Sequence, residues 1–300
     1  MLESKSKEDI YMKIGILGPE GTFSDKAYME YCKKTGQELV GEYYPTIDDV
    51  FQAVCSDNDM TATEACDLCI VPVENTLDGY VQRTLDLLLE KNVCIIDENM
   101  VSVQFSLVGN VKSLDEIKTL YVQFKANGQC RRFINSLGNA KIVTTDSNME
   151  SYYKLGDEEG AAAIVPHHIA VHETGRFVIE NVTDSDHNHT RFLIVKKGQA
   201  KDNKAVNMPT NSQDKIKVRV PIYVMPVEDR PGILFELLQS FYDNKINMIS
   251  IMSRPTKQEL GTYNFYIEID GKLERLAVIL DTLEQIKESN NVKILGIYKE

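Results

Sequence analysis

The sequence lacks the segments that would carry it into or across a membrane. None of its apolar runs approaches the roughly 18 residues that a membrane-spanning helix needs. Residues 1–10 mix charged and polar side chains and lack the apolar centre of a secretory signal. We therefore expect a cytoplasmic protein, in which the six cysteines remain free thiols because the compartment is reducing.

The sequence also has fewer basic than acidic side chains. The 300 residues include 33 Lys and Arg against 45 Asp and Glu, which leaves a formal net charge of -12. Such a chain is repelled by phosphate backbones and anionic lipid surfaces, so we expect no nucleic-acid or membrane partner. With 43% hydrophobic and 26% charged residues the chain can bury a sizeable core, and its length predicts two or three domains.

A metal-binding pattern is also missing. Cys66 and Cys69 have the spacing of a zinc pair, but no second pair or nearby histidine follows them. All five histidines fall in one later stretch, at His167, His168, His172, His187 and His189. The first two point to different faces of the chain, and no carboxylate completes a ligand set at the usual spacing. We predict no metal site.

A polar, proline-containing segment at 197–214 divides the chain and is predicted to be a linker. Before it, short apolar strands alternate with helical runs, the pattern of a mainly parallel sheet covered by helices. Thr22 and Thr46 each stand three residues before an aspartate, a spacing that caps a helix start. An extended run at 93–108 is predicted to carry the chain into a second lobe. The other predicted elements are strands at 12–17, 68–73, 141–144, 161–165 and 190–195, and helices at 79–91, 129–137 and 147–155.

After the linker, the predicted order is strand, helix, strand, strand, helix, strand. The strands are predicted at 216–225, 246–253, 261–269 and 292–298, and the helices at 231–242 and 273–286. This order is the ferredoxin-like plan, which a segment of roughly 85 residues suits.

Polar residues stand at the ends of two predicted strands. Thr22 and Ser24 lie in a glycine-containing turn after the first strand, where helix-start amides and hydroxyls either bind an anion or simply form the turn. That turn lacks the lysine of a phosphate-binding loop and the spacing of a dinucleotide fingerprint. Asn75 and Thr76 follow another apolar strand and serve either a ligand or the capping of a helix.

Thr190 and Arg191 open the strand that closes the first domain. Taken alone, they are more typical of a strand former beside a surface ion pair than of a site. Taken together and in this order, however, the polar segments resemble the prephenate dehydratase family, and the C-terminal module resembles the ACT regulatory domain that follows in that family. The motifs that carry the resemblance, over nearly the whole chain, are Gly18-Pro19-Glu20-Gly21-Thr22-Phe23-Ser24, Pro72-Val73-Glu74-Asn75-Thr76 with Gly79 and Thr84-Leu85-Asp86-Leu87-Leu88, Asn188-His189-Thr190-Arg191-Phe192, Arg230-Pro231-Gly232-Ile233-Leu234, Ser253-Arg254-Pro255 and Leu260-Gly261-Thr262-Tyr263.

The resemblance implies the fold. It implies an α/β protein with a two-lobed catalytic domain at 12–196, similar to type II periplasmic binding proteins, and a ferredoxin-like βαββαβ ACT domain at 215–300. The first lobe is expected at about 12–98 and 176–196 and the second at about 99–175, with the active site between them. Because the first predicted strand begins so early, we expect no chorismate mutase helices of the kind that some relatives carry in front.

The resemblance also implies a reaction, the conversion of prephenate to phenylpyruvate with loss of carbon dioxide and water. Aromatisation drives this step, so no metal or redox cofactor is implied. Thr190 would donate a hydrogen bond or proton to the departing ring hydroxyl, and Arg191 would bind a substrate carboxylate bidentately. The donors implied for the other carboxylate are Thr22, Ser24, Asn75 and Thr76.

Parts of the second lobe depart from the family pattern. Val122-Gln123-Phe124-Lys125 stands where the family shows Ser-His-Pro-Gln, and Ser147-Asn148-Met149 stands for its Ser-Thr-Ala element. Lys125 either supplies a cation for a substrate carboxylate or is a solvated surface lysine, and Ser147 is a further substrate-binding candidate. The alternatives to prephenate dehydration are a dehydratase for arogenate or a related acid, and a non-catalytic sensor on the same fold. The retained Thr190 favours turnover.

The ACT domain implies regulation. Such domains pair side by side, so we expect a homodimer or homotetramer with an amino-acid effector, phenylalanine in this family, bound between subunits. The candidate effector residues are Gly232, Ile233, Leu234, Asn247 and Arg254. Met252 replaces the glutamate expected before Ser253, which leaves the identity of the effector open.

Overall fold

A computed structural model describes residues 11–56, 65–200 and 216–300, so most of the predicted linker lies outside the described residues. Up to residue 200 the strands are β1 (Met12–Leu17), β2 (Leu39–Tyr44), β3 (Leu68–Asn75), β4 (Gly79–Tyr80), β5 (Val93–Ser102), β6 (Phe105–Gly109), β7 (Thr119–Gln123), β8 (Lys141–Thr145), β9 (Ala161–Pro166), β10 (Phe177–Ile179) and β11 (His189–Lys197). The helices of this part are α1 (Phe23–Thr35), α2 (Ile47–Cys55), α3 (Gln82–Glu90), α4 (Phe124–Gln129), α5 (Arg131–Ser136), α6 (Asn148–Leu155) and α7 (His167–Ala170).

The first lobe is built on a sheet with the strand order β2-β1-β3-β11-β5, and β4 is attached to β3. Strand β1 pairs in parallel with β2 and β3, whereas β11 runs antiparallel between β3 and β5. The sheet is therefore mixed rather than mainly parallel, because its last strand returns from the second lobe. Strand β3 begins with four consecutive buried residues, the pattern of a central strand that is covered on both faces.

The second lobe has its own sheet, in the order β10-β6-β9-β7-β8. Strand β5 keeps pairing with β11 as far as Ser102, so the chain crosses between the lobes at 103–104, not at residue 99 as predicted. The chain crosses back between β10 and β11. Strand β10 pairs with β6, so the expectation that the first lobe resumes at residue 176 is also wrong.

The helix starts follow from local hydrogen bonding. Thr22 and Thr46, as predicted, each accept a hydrogen bond from the backbone N–H three residues later, and Ser147 does the same at the start of α6. None of the helices in the described part of the chain is long and apolar enough to cross a membrane.

Two predicted helices differ in detail. The helix expected at 79–91 begins only at Gln82, because the residues before it form β4 on β3. The helix expected at 129–137 is instead α4 followed by α5, with a break at Cys130. Strand β2 was not predicted because it lies at the edge of the first sheet, where its polar and apolar residues do not alternate regularly.

Residues 216–300 form the predicted βαββαβ module. Its strands are β12 (Lys217–Pro226), β13 (Asn247–Pro255), β14 (Tyr263–Lys272), β15 (Asn290–Ile294) and the short β16 (Tyr298–Lys299), and its helices are α8 (Ile233–Asp243) and α9 (Leu276–Lys287). The sheet order is β13-β14-β12-β15, with β16 on β12. Val220, Ile222 and Val224 belong to the core with the helices, while Tyr223 points to the opposite face because side chains alternate along a strand.

That opposite face of the C-terminal sheet packs on the first lobe. Tyr223, Tyr266 and Tyr298 form one buried apolar cluster with residues of the first lobe, including Leu85 and Leu88 of α3. The Tyr223 hydroxyl donates a hydrogen bond to the Leu85 carbonyl at 3.0 Å. The two domains therefore share an apolar core at this junction.

Lys293 strengthens this junction at the end of α3. Its Nζ donates to the carbonyls of Leu88, Leu89 and Lys91. Leu88 and Leu89 lie in the last turn of α3, where carbonyls lack helical partners. Burial lowers the pKa of Lys293. A residue of the C-terminal module thus caps a helix of the first lobe.

The two lobes also touch each other, at the start of α1. The Phe23 ring packs edge-on against Phe105 and His168, with ring centroids 5.3 and 5.6 Å apart. His168 Nε2 lies 3.1 Å from the Gly21 carbonyl oxygen and must donate to it. Burial lowers the pKa of His168 to about 4, so the ring is neutral at neutral pH.

We predict that acid weakens this lobe contact through His168. The folded protein keeps the ring neutral down to a pKa of about 4, whereas the unfolded chain binds the proton near 6.5. The unfolded state binds more protons in that window, so the free energy of unfolding decreases as the pH decreases, by about 1 kcal/mol between pH 7 and pH 5 after a discount for solvent screening. Denaturant titrations near pH 7 and pH 5 measure the loss. It should be smaller in His168→Gln, which keeps a donor for Gly21, and equal losses would contradict the prediction.

Candidate active site

Thr190 lies near the start of β11, where the two lobes meet. Antiparallel pairing sets it opposite Asn75, the last residue of β3. The Asn75 Nδ2 donates to the Thr190 Oγ1 at 2.9 Å, and Thr190 is only 9% exposed. No described residue accepts the proton of this hydroxyl, so the group is oriented as an acceptor and remains available as a donor.

The Asn75 amide is held in one orientation. Its Oδ1 accepts hydrogen bonds from the backbone N–H groups of Leu77 and Asp78, which forms an Asx-type turn at the end of β3. Its Nδ2 also contacts the Asn188 Oδ1 at 2.9 Å and the His189 carbonyl at 3.1 Å. The turn thereby aims the amide donor at Thr190.

A hydrogen-bonded chain of side chains continues from Asn75 into the second lobe. Asn188 is completely buried, and its Nδ2 donates to the Gln129 Oε1 of α4 at 3.0 Å. Asn188 and Gln129 were not predicted as site residues, although Asn188 stands in a motif quoted for the family resemblance. Their spatial pairing could not be read from a separation of 59 residues.

Thr76 and Lys125 lie at the rim of this polar group. The Thr76 hydroxyl donates to the His187 carbonyl at 2.9 Å and accepts from the His189 N–H at 2.8 Å, so it fixes the loop before β11 rather than capping a helix. The Lys125 Nζ lies 3.8 Å from the Asp78 Oδ2, and its side chain is 65% exposed. This pair crosses from the second lobe to the first, a geometry that the solvated-lysine alternative did not anticipate.

Thr22 and Ser24 lie at the start of α1. Thr22 caps the helix, Ser24 is buried, and the buried Asp25 accepts hydrogen bonds from the Gly21 N–H at 2.8 Å and the Tyr43 hydroxyl at 2.6 Å. Burial and the neighbouring Asp25 raise the pKa of Tyr43, which stays protonated as the donor. These contacts fix the turn that presents the helix start.

Ser147 lies at the start of α6, on the opposite lobe. A Cβ at Gly21 would come within 2.7 Å of the Met149 Sδ, and the φ of 84° at Gly21 is one that L side chains rarely adopt, so glycine suits the close approach of the starts of α1 and α6. Two buried polar atoms near this contact, Asn148 Oδ1 and His168 Nδ1, have no hydrogen-bond partner among the described residues. No hydrogen bond among those residues joins the two helix starts directly to Thr190.

The prediction that Arg191 binds a substrate carboxylate is wrong. Successive side chains of a strand point to opposite faces, so Arg191 turns away from Thr190 and toward the C-terminal module. There it binds Glu268 bidentately, with Nη1–Oε2 and Nη2–Oε1 distances of 2.7 and 2.6 Å. Glu74 and Glu98 also accept hydrogen bonds from it, at 2.9 and 3.2 Å.

Arg191 stays charged in this buried position. Its side chain is 6% exposed, and burial alone would lower its pKa, but the hydrogen bonds and the charge of Glu268 outweigh that effect and raise it. Glu268 was not recognised in the sequence, because nothing in an alternating strand marks a glutamate as buried in a domain interface.

The five candidate effector residues lie apart within one chain. Gly232, with a φ of 91°, caps the start of α8, and Ile233 lines a cavity of about 270 Å³ with Thr256 and Tyr263. Leu234 packs against the helix-side core. The other two candidates, Asn247 and Arg254, do not line this cavity.

Asn247 and Arg254 of β13 each have a carboxylate partner. Asn247 donates to Asp270 on the neighbouring strand. Arg254 binds Asp86 of α3 through Nε and Nη2, at 3.0 and 2.8 Å. Arg254 therefore joins the C-terminal module to the first lobe instead of facing the cavity beside Ile233.

The histidines do not form a metal site. Within the described residues, no three His, Cys, Asp or Glu side chains come together in a way that could hold a metal ion. His167 Nδ1 lies 2.9 Å from the Ser106 hydroxyl, while His168 faces Gly21. The adjacent pair thus points in different directions, as predicted.

Comparisons with known proteins agree with this architecture. The family model of prephenate dehydratase matches residues 14–200, and that of the ACT domain matches residues 227–288. The prephenate dehydratase of Methanocaldococcus jannaschii is 32% identical over 282 residues, which cover 93% of this chain and 95% of that protein.

Solved structures give the same result. The prephenate dehydratase of Staphylococcus aureus superposes with a TM-score of 0.75 at 26% identity, over 96% of this chain and 100% of the other. The Arthrobacter aurescens prephenate dehydratase in complex with L-Phe gives a TM-score of 0.76 at 29% identity, over 96% and 90%. The two-lobed α/β fold, the C-terminal module and the family-model matches lead to one conclusion: the chain belongs to the prephenate dehydratase family and carries an ACT domain.

Proposed function

We propose that this protein is a cytoplasmic prephenate dehydratase, which converts prephenate to phenylpyruvate and is regulated by an amino acid through its ACT domain. Family membership supports the reaction. The observation that carries the proposal is the buried Thr190 hydroxyl, which the Asn75 amide orients at the junction of the lobes while its own proton stays free.

The reaction needs a proton donor more than a strong base. As the ring carboxylate leaves as carbon dioxide, its bonding electron pair moves into the ring, the carbon–oxygen bond on the far side breaks, and the departing hydroxyl takes a proton to become water. A threonine hydroxyl is a weak acid, but aromatisation makes the step downhill. The Asn75 N–H that donates to Thr190 stabilises the negative charge that grows on Oγ1 during the transfer.

The substrate carboxylates need other partners, since Arg191 is committed to the protein. Lys125 at the rim supplies a positive charge for one of them. The backbone amides at the starts of α1 and α6, around Thr22, Ser24 and Ser147, supply donors for the other.

An amino-acid effector fits the C-terminal module. One relative is described as a complex with L-Phe. Strand β13 forms one edge of the ACT sheet, and its Ile249 and Ile251 are each 43% exposed. A long, apolar edge strand is a template for pairing with another chain. We propose that two chains pair along β13 and that phenylalanine binds between them, near Gly232 and Ile233.

We predict that Thr190→Ala lowers kcat for phenylpyruvate formation by roughly 10²- to 10⁴-fold, because the leaving hydroxyl loses its donor. The KM should change little. Thr190→Ser keeps the hydroxyl and should retain activity within about tenfold of the wild type. If the wild-type protein forms no phenylpyruvate, or if Thr190→Ala is as active as the wild type, this mechanism is wrong.

The role of Asn75 can be tested with an isosteric change. Asn75→Asp removes the N–H that orients Thr190, and we expect kcat to fall about 100-fold. Asn110→Asp is the matched control, since Asn110 Nδ2 also donates to three acceptors, which are backbone carbonyls in the second lobe away from Thr190. The control should lose stability and keep its kcat. Equal loss of kcat in both variants would argue against an orienting role.

Pairing along β13 predicts that Ile251→Lys breaks the dimer. A charge on the edge strand must be desolvated when the two edges meet, so sedimentation should show monomers that phenylalanine no longer inhibits. Val278→Lys is the control, because Val278 is 37% exposed on α9, away from that edge. A dimer that survives Ile251→Lys would place the interface elsewhere.

A further inference from the structure

Arg191 belongs to a buried group of charges that joins the catalytic part to the ACT sheet. The members of this ionic cluster are Glu74, Glu98, Arg191, Arg219 and Glu268. Glu74, Glu98 and Arg191 lie on β3, β5 and β11 of the first lobe, and the other two lie on β12 and β14 of the ACT domain. Glu268 is 1% exposed, and Arg219 contacts Glu98 at 2.9 Å. The cluster therefore fixes three strands of one sheet against two strands of another.

Adhesion between the domains does not require these charges. The interface already contains an apolar cluster, the Tyr223–Leu85 hydrogen bond and the Lys293 cap on α3. Buried ion pairs are costly to desolvate and are often no more stable than apolar side chains of the same size. The specific contribution of the cluster is geometric: a bidentate pair holds its two partners at one distance and angle.

The ionic cluster sits directly behind Thr190. On β11 and β3, Thr190 pairs with Asn75 and Arg191 pairs with Glu74. The first pair faces the junction of the lobes, and the second faces the ACT sheet. Each residue of the active pair is thus covalently next to a member of the cluster, and the Arg191–Glu74 bond of 2.9 Å ties the two strands together.

The pairing of β3 with β11 is irregular next to this position. The β3–β11 register shifts between Arg191 and Phe192, so the regular ladder is interrupted immediately after the active pair. Strand β11 keeps a regular register with β5 from His189 to Ile194, so the irregularity affects only its β3 side. On that side, Arg191 is bound by Glu74 and Glu268 immediately before the bulge and ties β11 to β3.

We propose that Arg191 is a positioning residue, which binds Glu268 of the ACT domain and Glu74 of β3 together and thereby sets the place of the Thr190 hydroxyl against the Asn75 amide. This inference rests on the proposed function of Thr190 as the proton donor. It follows that the ACT sheet acts on the active site through Arg191, the residue next to Thr190. Contacts of the ACT domain therefore help to set the positions of the catalytic groups.

The test compares two acid-to-amide changes in one interface. Glu268→Gln keeps the shape of the side chain and leaves two arginines with two glutamates in the ionic cluster, so no buried charge loses all its partners. Asp86→Asn removes the partner of Arg254 and Lys257 on α3, away from β3 and β11. We expect kcat for phenylpyruvate formation to fall at least about tenfold in Glu268→Gln, while KM stays within about threefold. A small displacement of the Thr190 hydroxyl is enough to lower the rate of proton donation strongly. The Asp86→Asn variant should lose at least as much in Tm and keep its kcat.

Two further measurements separate positioning from general destabilisation. In the Thr190→Ala background, Glu268→Gln should lower kcat no further, since both changes act on the same group. Amide hydrogen exchange of a peptide over 187–193 should be faster in Glu268→Gln than in Asp86→Asn. If Glu268→Gln does not fold, Tyr266→Phe removes only the hydroxyl that donates to Glu268 at 2.5 Å and should lower kcat in the same direction.

The proposal is overturned if the wild type is active and the two interface variants have equal kcat values, or if Glu268→Gln and Thr190→Ala have independent effects on kcat. A wild-type protein that does not turn over prephenate would instead refute the proposed function. Unequal hydrogen exchange at 187–193 would still support positioning in that case, and equal exchange would overturn it.

Discussion

The alternation of side chains along β11 determines which residues face the lobe junction and which face the ACT domain. Side chains of a strand alternate between two faces, so adjacent residues cannot serve the same site. Thr190 faces the junction of the lobes and Arg191 faces the ACT sheet. A return from the second lobe places this strand between β3 and β5, which supply Asn75 on one face and Glu74 and Glu98 on the other. The candidate active site and the interface with the ACT domain therefore lie on two sides of one strand.

This arrangement also explains how an acidic protein can handle an anionic substrate. The net charge of -12 disfavours an anion at long range, so local groups must supply the attraction. One strong cation, Arg191, is neutralised by glutamates of the protein and does not contribute. In the proposed mechanism, the backbone-amide dipoles at the starts of α1 and α6 take its place together with Lys125 at the rim. Such dipoles need no counter-charge in a buried site.

Much of the fold was predictable because local patterns determine it. The caps at Thr22 and Thr46, the apolar run of β3 and the βαββαβ order of the C-terminal module were all found as expected. The errors have local causes too. The helix start near Gly79 was misplaced because β4 pairs with β3, and β10 was assigned to the wrong lobe because nothing in three half-buried residues identifies the sheet they join. The role of Arg191 was missed since its partner Glu268 lies 77 residues away.

Most helices and strands, the position of Thr190 in its strand and the family resemblance could be read from the sequence. Capping, periodicity and motif order are properties of neighbouring residues, so they need no folded structure to be recognised. Tertiary structure alone decided what each polar side chain binds. Gln129 reaches Asn188, Arg254 reaches Asp86 and Arg191 reaches Glu268 only after the two lobes and the ACT sheet have packed together. Hydrogen bonds and ion pairs act over a few ångströms, and only the folded chain brings those groups within that range.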